Sequence, residues 1–137
     1  MTPELVALCL AALLHIGAFA VFSYMANVDL GTGYTTSPRD LAPRTQMRAT
    51  TARLGRAYDN SSAMIGLFAG GALVVVLSGQ SSLFTAAVAY AYVVLRLIYV
   101  FAYALGWRPW RSFIWLGALS CCALLFLAAL FGAGGVA

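Results

Sequence analysis

The stretch from Leu5 to Ala26 reads LVALCLAALLHIGAFAVFSYMA and contains neither an acidic residue nor lysine or arginine. About 20 consecutive apolar residues suffice for a helix that crosses the hydrocarbon core of a bilayer. Thr2, Pro3 and Glu4 precede the stretch and favour a helix start, because they supply a hydroxyl cap, a preset φ and an acid in the first turn. The stretch lacks a basic leading region, so we interpret it as a retained membrane helix and not as a secretory signal.

The whole composition points the same way. Of 137 residues, 63% are hydrophobic and only 9% are charged, with eight arginines and no lysine. A soluble domain carries about a quarter charged residues, so the soluble class is excluded. We predict an all-α integral membrane protein with one domain, a bundle of four transmembrane helices. The predicted helices cover about residues 3–26, 44–78, 82–106 and 110–132, and a long loop covers 27–43.

The arginines cluster in two of the three connections between these helices. Arg108 and Arg111 lie in or beside the third connection, and the first connection holds or adjoins Arg39, Arg44, Arg48, Arg53 and Arg56. This asymmetry follows the positive-inside rule and predicts that both connections are cytoplasmic and both termini lie on the other side of the membrane, as in a bacterial inner membrane protein. It does not resemble a nucleic-acid interface, which needs a basic surface interleaved with aromatic residues.

Polar and charged groups recur inside two of the predicted spans. Such groups cost several kcal/mol in lipid unless they are paired or line a cavity, so they mark a candidate site. At about 100° per residue, each set occupies one narrow helix face. The set in the second helix is Arg53, Arg56, Asn60 and position 63, and the set in the third helix is Arg96, Tyr99 and Tyr103.

Both faces lie in the predicted cytoplasmic half of the membrane, so they can face each other across one pocket. Guanidinium and amide groups suit a small anionic ligand, because a guanidinium binds carboxylates in a bidentate manner. The alternative is an internal polar network in which Asp59, Asn60 and the tyrosines merely satisfy Arg96.

The sequence contains few motifs of other catalytic or metal-binding chemistry. The sequence contains no Ser/His/Asp arrangement, nucleotide-binding glycine loop or pair of carboxylates on one helix face. Cys9, Cys121 and Cys122 have no metal-ligand spacing and are predicted to be buried apolar residues, and His15 is predicted to pack between helices. Catalysis therefore depends on electrostatic activation of a bound ligand, for example a thiol whose pKa is lowered by a nearby arginine.

With these motifs the chain resembles the MAPEG superfamily, the membrane-associated proteins in eicosanoid and glutathione metabolism. The resemblance covers most of the chain from about Arg44 to Leu119. It rests on the order of three motifs, which are Arg53-x-x-Arg56-Ala57-x-x-Asn60, Arg96-x-x-Tyr99-x-x-x-Tyr103 and Arg111-Ser112.

The resemblance implies a four-helix subunit in a homotrimer, with glutathione as a co-substrate bound between neighbouring subunits. It implies that Arg111 is catalytic and stabilises the glutathione thiolate. Arg108 is the alternative, because the spacing from Tyr103 to Arg111 is about one residue longer than in the best-known members. The implied glutathione-binding residues are Arg53, Arg56, Asn60, Arg96, Tyr99 and Tyr103.

One position departs from the family pattern. The pattern continues Asn-x-x-Glu, whereas Asn60-Ser61-Ser62 is followed here by Ala63. Alanine can neither accept from the ligand's amino group nor balance an arginine, and Asp59 is a partial substitute at most.

Three functions remain open. The first is a glutathione-dependent transferase or peroxidase that acts on hydrophobic electrophiles or lipid peroxides. The second, favoured by Ala63, is a non-catalytic accessory or scaffold subunit of a larger membrane complex. The third is a small exporter of the four-helix type, but this needs a membrane-embedded acid and Asp59 near the interface is poorly placed for that role.

Overall fold

Residues 1–132 are described by a computed structural model, in which five helices and no strand are found. The helices are α1 (Pro3–Leu30), α2 (Thr32–Thr35), α3 (Ala49–Leu77), α4 (Leu83–Leu105) and α5 (Trp110–Phe131). All but the short α2 are long and apolar enough to cross a membrane. The predicted all-α bundle of four membrane helices is therefore confirmed.

The first connection differs from its predicted bounds. α1 continues to Leu30, although a loop was predicted from Asn27, and α3 begins at Ala49 and not near Arg44. α1 ends where Gly31 adopts a φ of 80° and donates its N–H to the Asn27 carbonyl. Arg48 then donates through its backbone N–H and its Nε to the Asp29 carboxylate, at 2.9 and 2.7 Å. This contact holds Arg48 against the end of α1. The helix α3 therefore begins after Arg48, five residues later than predicted.

Small residues and one aromatic stack bring α3 close to its neighbours. Phe68 on α3 stacks on Tyr92 of α4 with ring centroids 3.9 Å apart, and both side chains are buried. Gly71 lies so close to α5 that a Cβ there would stand 3.1 Å from the Leu125 Cβ. At Gly66 no other helix of residues 1–132 comes within 4 Å of the corresponding position, so the close approach predicted for the glycine motif occurs only at its second half.

Glu4 ties the start of α1 to the start of α4. Its carboxylate is fully buried and accepts hydrogen bonds from Thr85 Oγ1 at 2.6 Å and from Ser81 Oγ at 3.3 Å. Thr85 also forms a capping box with Ser82 at the first turn of α4. Glu4 lies in the first turn of α1, as predicted, and it also connects α1 with the start of α4.

Candidate functional site

An open pocket of about 410 Å³ lies where α3, α4 and α5 converge. Four of the predicted site residues line it, namely Asn60 from α3, Tyr99 and Tyr103 from α4 and Arg111 from α5. Ser112, Trp115 and Leu116 complete the lining on α5. All three helices thus contribute polar groups to the pocket, and Trp115 and Leu116 form its apolar wall.

Contacts between the side chains order this group. The Arg111 guanidinium carbon lies 4.6 Å from the centroid of the Tyr103 ring, which is a cation–π distance. Tyr103 in turn meets Tyr99 edge to face at 5.5 Å, and the Asn60 side chain lies within hydrogen-bonding reach of Tyr99. Both tyrosines are buried against Ala57, whose small side chain leaves room for the rings.

Arg111 supplies the cationic side of the pocket. It is half-buried in the first turn of α5, where the positive end of the helix dipole adds to its charge. Arg108, three positions earlier, is exposed and lines a different hollow with Trp107 and Trp110. The geometry therefore associates Arg111, and not Arg108, with Tyr99 and Tyr103.

Arg96 lies apart from this pocket. Its side chain is only 4% exposed, donates from Nη2 to Ser61 Oγ and lies over the Tyr99 ring at 4.4 Å. The guanidinium lines a separate cavity inside the subunit together with His15 and Tyr92. The sequence predicted a single pocket shared by both polar faces, whereas the subunit has two spaces. Tyr99 lies between them, because it lines the open pocket and also contacts Arg96.

The polar face of α3 is also divided. Leu54, Ala57 and Ser61 are buried and turn toward the bundle, which leaves Arg56 and Asn60 exposed at its edge. Asn60 still reaches the open pocket, whereas Arg56 and Ala63 lie on the exposed side of the helix.

Arg53 packs against the C-terminal end of α4, the end that is predicted to lie on the cytoplasmic side. Its Nη1 lies 3.1 Å from the position that a Cβ would take at Gly106, the left-handed residue that ends α4. A cation at this place interacts favourably with the negative end of the helix dipole. The contact gives Arg53 a structural role within the subunit.

Sequence reasoning missed Ser61 and Trp115. Trp115 lies four residues after Arg111, so helical spacing places both on one face and could have identified it. Ser61 carried no such signal, because its role depends on the direction in which the Arg96 side chain turns.

The described residues offer no group of three histidine, cysteine or acidic side chains that could hold a metal ion. A comparison with protein families matched the MAPEG family model to residues 4–131. A search of curated proteins and a search of solved structures found no match to this chain.

Proposed function

This chain belongs to the MAPEG family, and from that premise we propose that it is a glutathione-dependent transferase or peroxidase of the membrane. Its co-substrate would be a hydrophobic electrophile or a lipid peroxide. Family membership supports a membrane role related to glutathione or eicosanoids in general, and the specific activity is our proposal.

The observation that carries the proposal is the position of Arg111 at the open pocket, over Tyr103 and beside Trp115. A guanidinium next to a bound thiol lowers the pKa of that thiol and raises the thiolate fraction. Asn60 and Tyr99 provide polar groups for the peptide part of glutathione, while Trp115 and Leu116 offer an apolar wall to the second substrate.

The chemistry then needs no nucleophile from the protein. In conjugation, the thiolate sulfur bonds to the electrophilic carbon and the leaving group departs with its electron pair. In peroxide reduction, the thiolate sulfur attacks the terminal oxygen of the hydroperoxide, the O–O bond breaks, and the alkoxide leaves and takes a proton. The thiol of a second glutathione then attacks the sulfur of the resulting sulfenic acid, which forms the disulfide and releases water. Arg111 stabilises the sulfur anion in both cases.

We propose that the protein acts as a homotrimer in which a neighbouring subunit completes the site. The exposed side of α3, with Arg56, Ala63 and Leu67, supports this arrangement because these residues flank Asn60 but turn away from their own bundle. The arginine clusters support an orientation with both termini outside the cytoplasm, in a bacterial inner membrane.

The test is a glutathione titration of the protein purified in detergent. We expect thiolate absorbance in the ultraviolet and binding heat at millimolar glutathione, together with conjugation of a hydrophobic electrophile. Absence of all three signals in folded protein contradicts the enzymatic proposal.

Ala63 favours a second function, a non-catalytic accessory or scaffold subunit of a larger membrane complex. The residue lies one turn beyond Asn60, where the family pattern has glutamate. Mild solubilisation distinguishes the two proposals, because an accessory subunit copurifies with a stoichiometric partner and a transferase is isolated with copies of itself.

A further inference from the structure

Arg96 is a buried cation that has no acidic partner among residues 1–132. Within residues 1–132 the ion pair found is Arg48–Asp29, at the far end of α1, and Glu4 is held by Thr85 and Ser81. Arg96 uses Nη2 on Ser61, and its buried Nη1 has no hydrogen-bond partner in this part of the chain. A charge left in this state at membrane depth is costly unless a counter-ion from outside the chain stabilises it.

The cavity beside Arg96 has room for such an ion. Its volume is about 20 Å³, the size of one water molecule or one small ion, and it lies between α1, α3 and α4. Its polar lining consists of Arg96, Tyr92, Ser61 and His15, and the rest is aliphatic. Ser61 already donates to the Ala57 carbonyl at 2.8 Å and accepts from Arg96, which leaves the Arg96 guanidinium as the cationic donor beside the space.

The hydrogen bonds of His15 indicate how it takes part. Ser62 Oγ donates to the Tyr58 carbonyl at 3.0 Å, so at its 3.3 Å contact with His15 Nε2 the serine oxygen accepts and the ring nitrogen donates. In neutral histidine this leaves Nδ1 as an acceptor, and Nδ1 is buried without a partner among the described residues. Protonation turns Nδ1 into a second cationic donor while the bond to Ser62 is kept.

We propose that this inner cavity binds one halide-sized anion together with one proton, with Arg96 and protonated His15 as its cationic donors. The titratable and charged groups that face His15 are Tyr58 on α3, which stacks on it at 4.6 Å, and Tyr92 and Arg96 on α4. The cavity is separate from the open pocket, since the two have no lining residue in common, although Tyr99 of the pocket lies under the Arg96 guanidinium.

The test measures the unfolding temperature of the full-length protein in detergent, in gluconate buffer, as chloride or bromide is added at pH 6 and pH 8. An anion that binds only the folded state raises this temperature in a saturable way. Because each anion enters with one proton, the half-saturating halide concentration falls by up to about tenfold per unit decrease in pH. An unfolding temperature independent of halide overturns the proposal and indicates that the cavity holds water only, and equal affinities at both pH values overturn it as well.

Three variants separate the roles of the two side chains. Arg96→Gln removes the halide effect, whereas His15→Gln keeps a weaker effect that no longer depends on pH. Arg44→Gln, at an exposed arginine of the first connection, is the matched control and keeps the wild-type response. If Arg96→Gln does not fold, the His15→Gln titration alone decides, because an unchanged pH dependence there contradicts the proposal.

Glutathione titrations in the halide-free gluconate buffer keep this inference separate from the proposed function. Glutathione binding without a halide response refutes the inner site only. A halide response without glutathione binding refutes the proposed enzyme and leaves the anion site in place.

Discussion

Arg111 and Arg108 are similar in charge and close in sequence, but they differ in what they contact. Arg111 lies over Tyr103 at the open pocket, whereas Arg108 is exposed beside Trp107 and Trp110. We expect Arg111→Gln to lower glutathione turnover by about 100-fold, the usual cost of removing one group that stabilises a developing anion. Thiolate absorbance should fall with it. The comparison variant Arg108→Gln should have a much smaller effect, and the opposite order would assign the thiolate to Arg108.

Ala63 is the residue at which the site departs most from its family pattern. It lies on the exposed side of α3, one turn beyond Asn60, so a longer side chain can enter without disturbing the core. We predict that Ala63→Glu increases glutathione affinity by about 10- to 100-fold, because a hydrogen bond from the ligand's charged amino group to a carboxylate contributes about 1.5–3 kcal/mol. Calorimetric titration measures the change. Ala63→Gln, of equal length and without charge, serves as the control, and no gain from glutamate would mean that the pocket has lost glutathione recognition more broadly.

At the scale of helices, the packing of α3 against α5 depends on one glycine of its motif. A side chain at Gly71 meets the buried Leu125 Cβ, which the backbone of α5 holds in place, whereas Gly66 faces open space in the described subunit. Gly71→Val should therefore destabilise the folded subunit by about 1–3 kcal/mol, the typical cost of overpacking a closed contact. Gly66→Val on the same helix should cost much less. Thermal unfolding in detergent compares the two, and equal losses would show that the α3–α5 contact is looser than the geometry indicates.

The rotation of α3 about its own axis could not be predicted from its sequence. Helical periodicity correctly grouped Arg53, Arg56, Asn60 and Ala63 on one face, but could not tell how far that face turns into the bundle. The burial of Leu54, Ala57 and Ser61 sets this rotation and leaves only the edge residue Asn60 at the open pocket. The rotation of α3 about its own axis depends on which of its small side chains fit against α4 and α5. It is therefore set by the residues of those helices and not by the sequence of α3 alone.

For the whole molecule, the exposed position of Arg56 leads to a prediction about assembly. If neighbouring subunits share each site in a trimer, Arg56→Ala and Arg111→Ala subunits lack different halves of it. We expect each variant alone to be impaired, and a coexpressed equal mixture to regain about a quarter of the wild-type sites, since each mixed trimer contains one intact interface. Activity per trimer, with the assembly measured by light scattering, checks the result. Absence of recovery would place both arginines in the same subunit's site.

The sequence by itself determined the class of the protein, the number of its membrane helices and the positions of its polar groups. Hydropathy is a local property, so a stretch such as Leu5 to Ala26 is sufficient to identify a membrane helix, and the position of each polar group follows from the order of residues. The tertiary structure decided which groups meet. It brought Asn60, Tyr99 and Arg111 to one pocket, turned Arg96 toward Ser61 and His15 in another space, and joined Glu4 to Thr85. These outcomes depend on helix rotation and side-chain direction, because each is set by the residues of the facing helix and not by spacing along the helix's own chain.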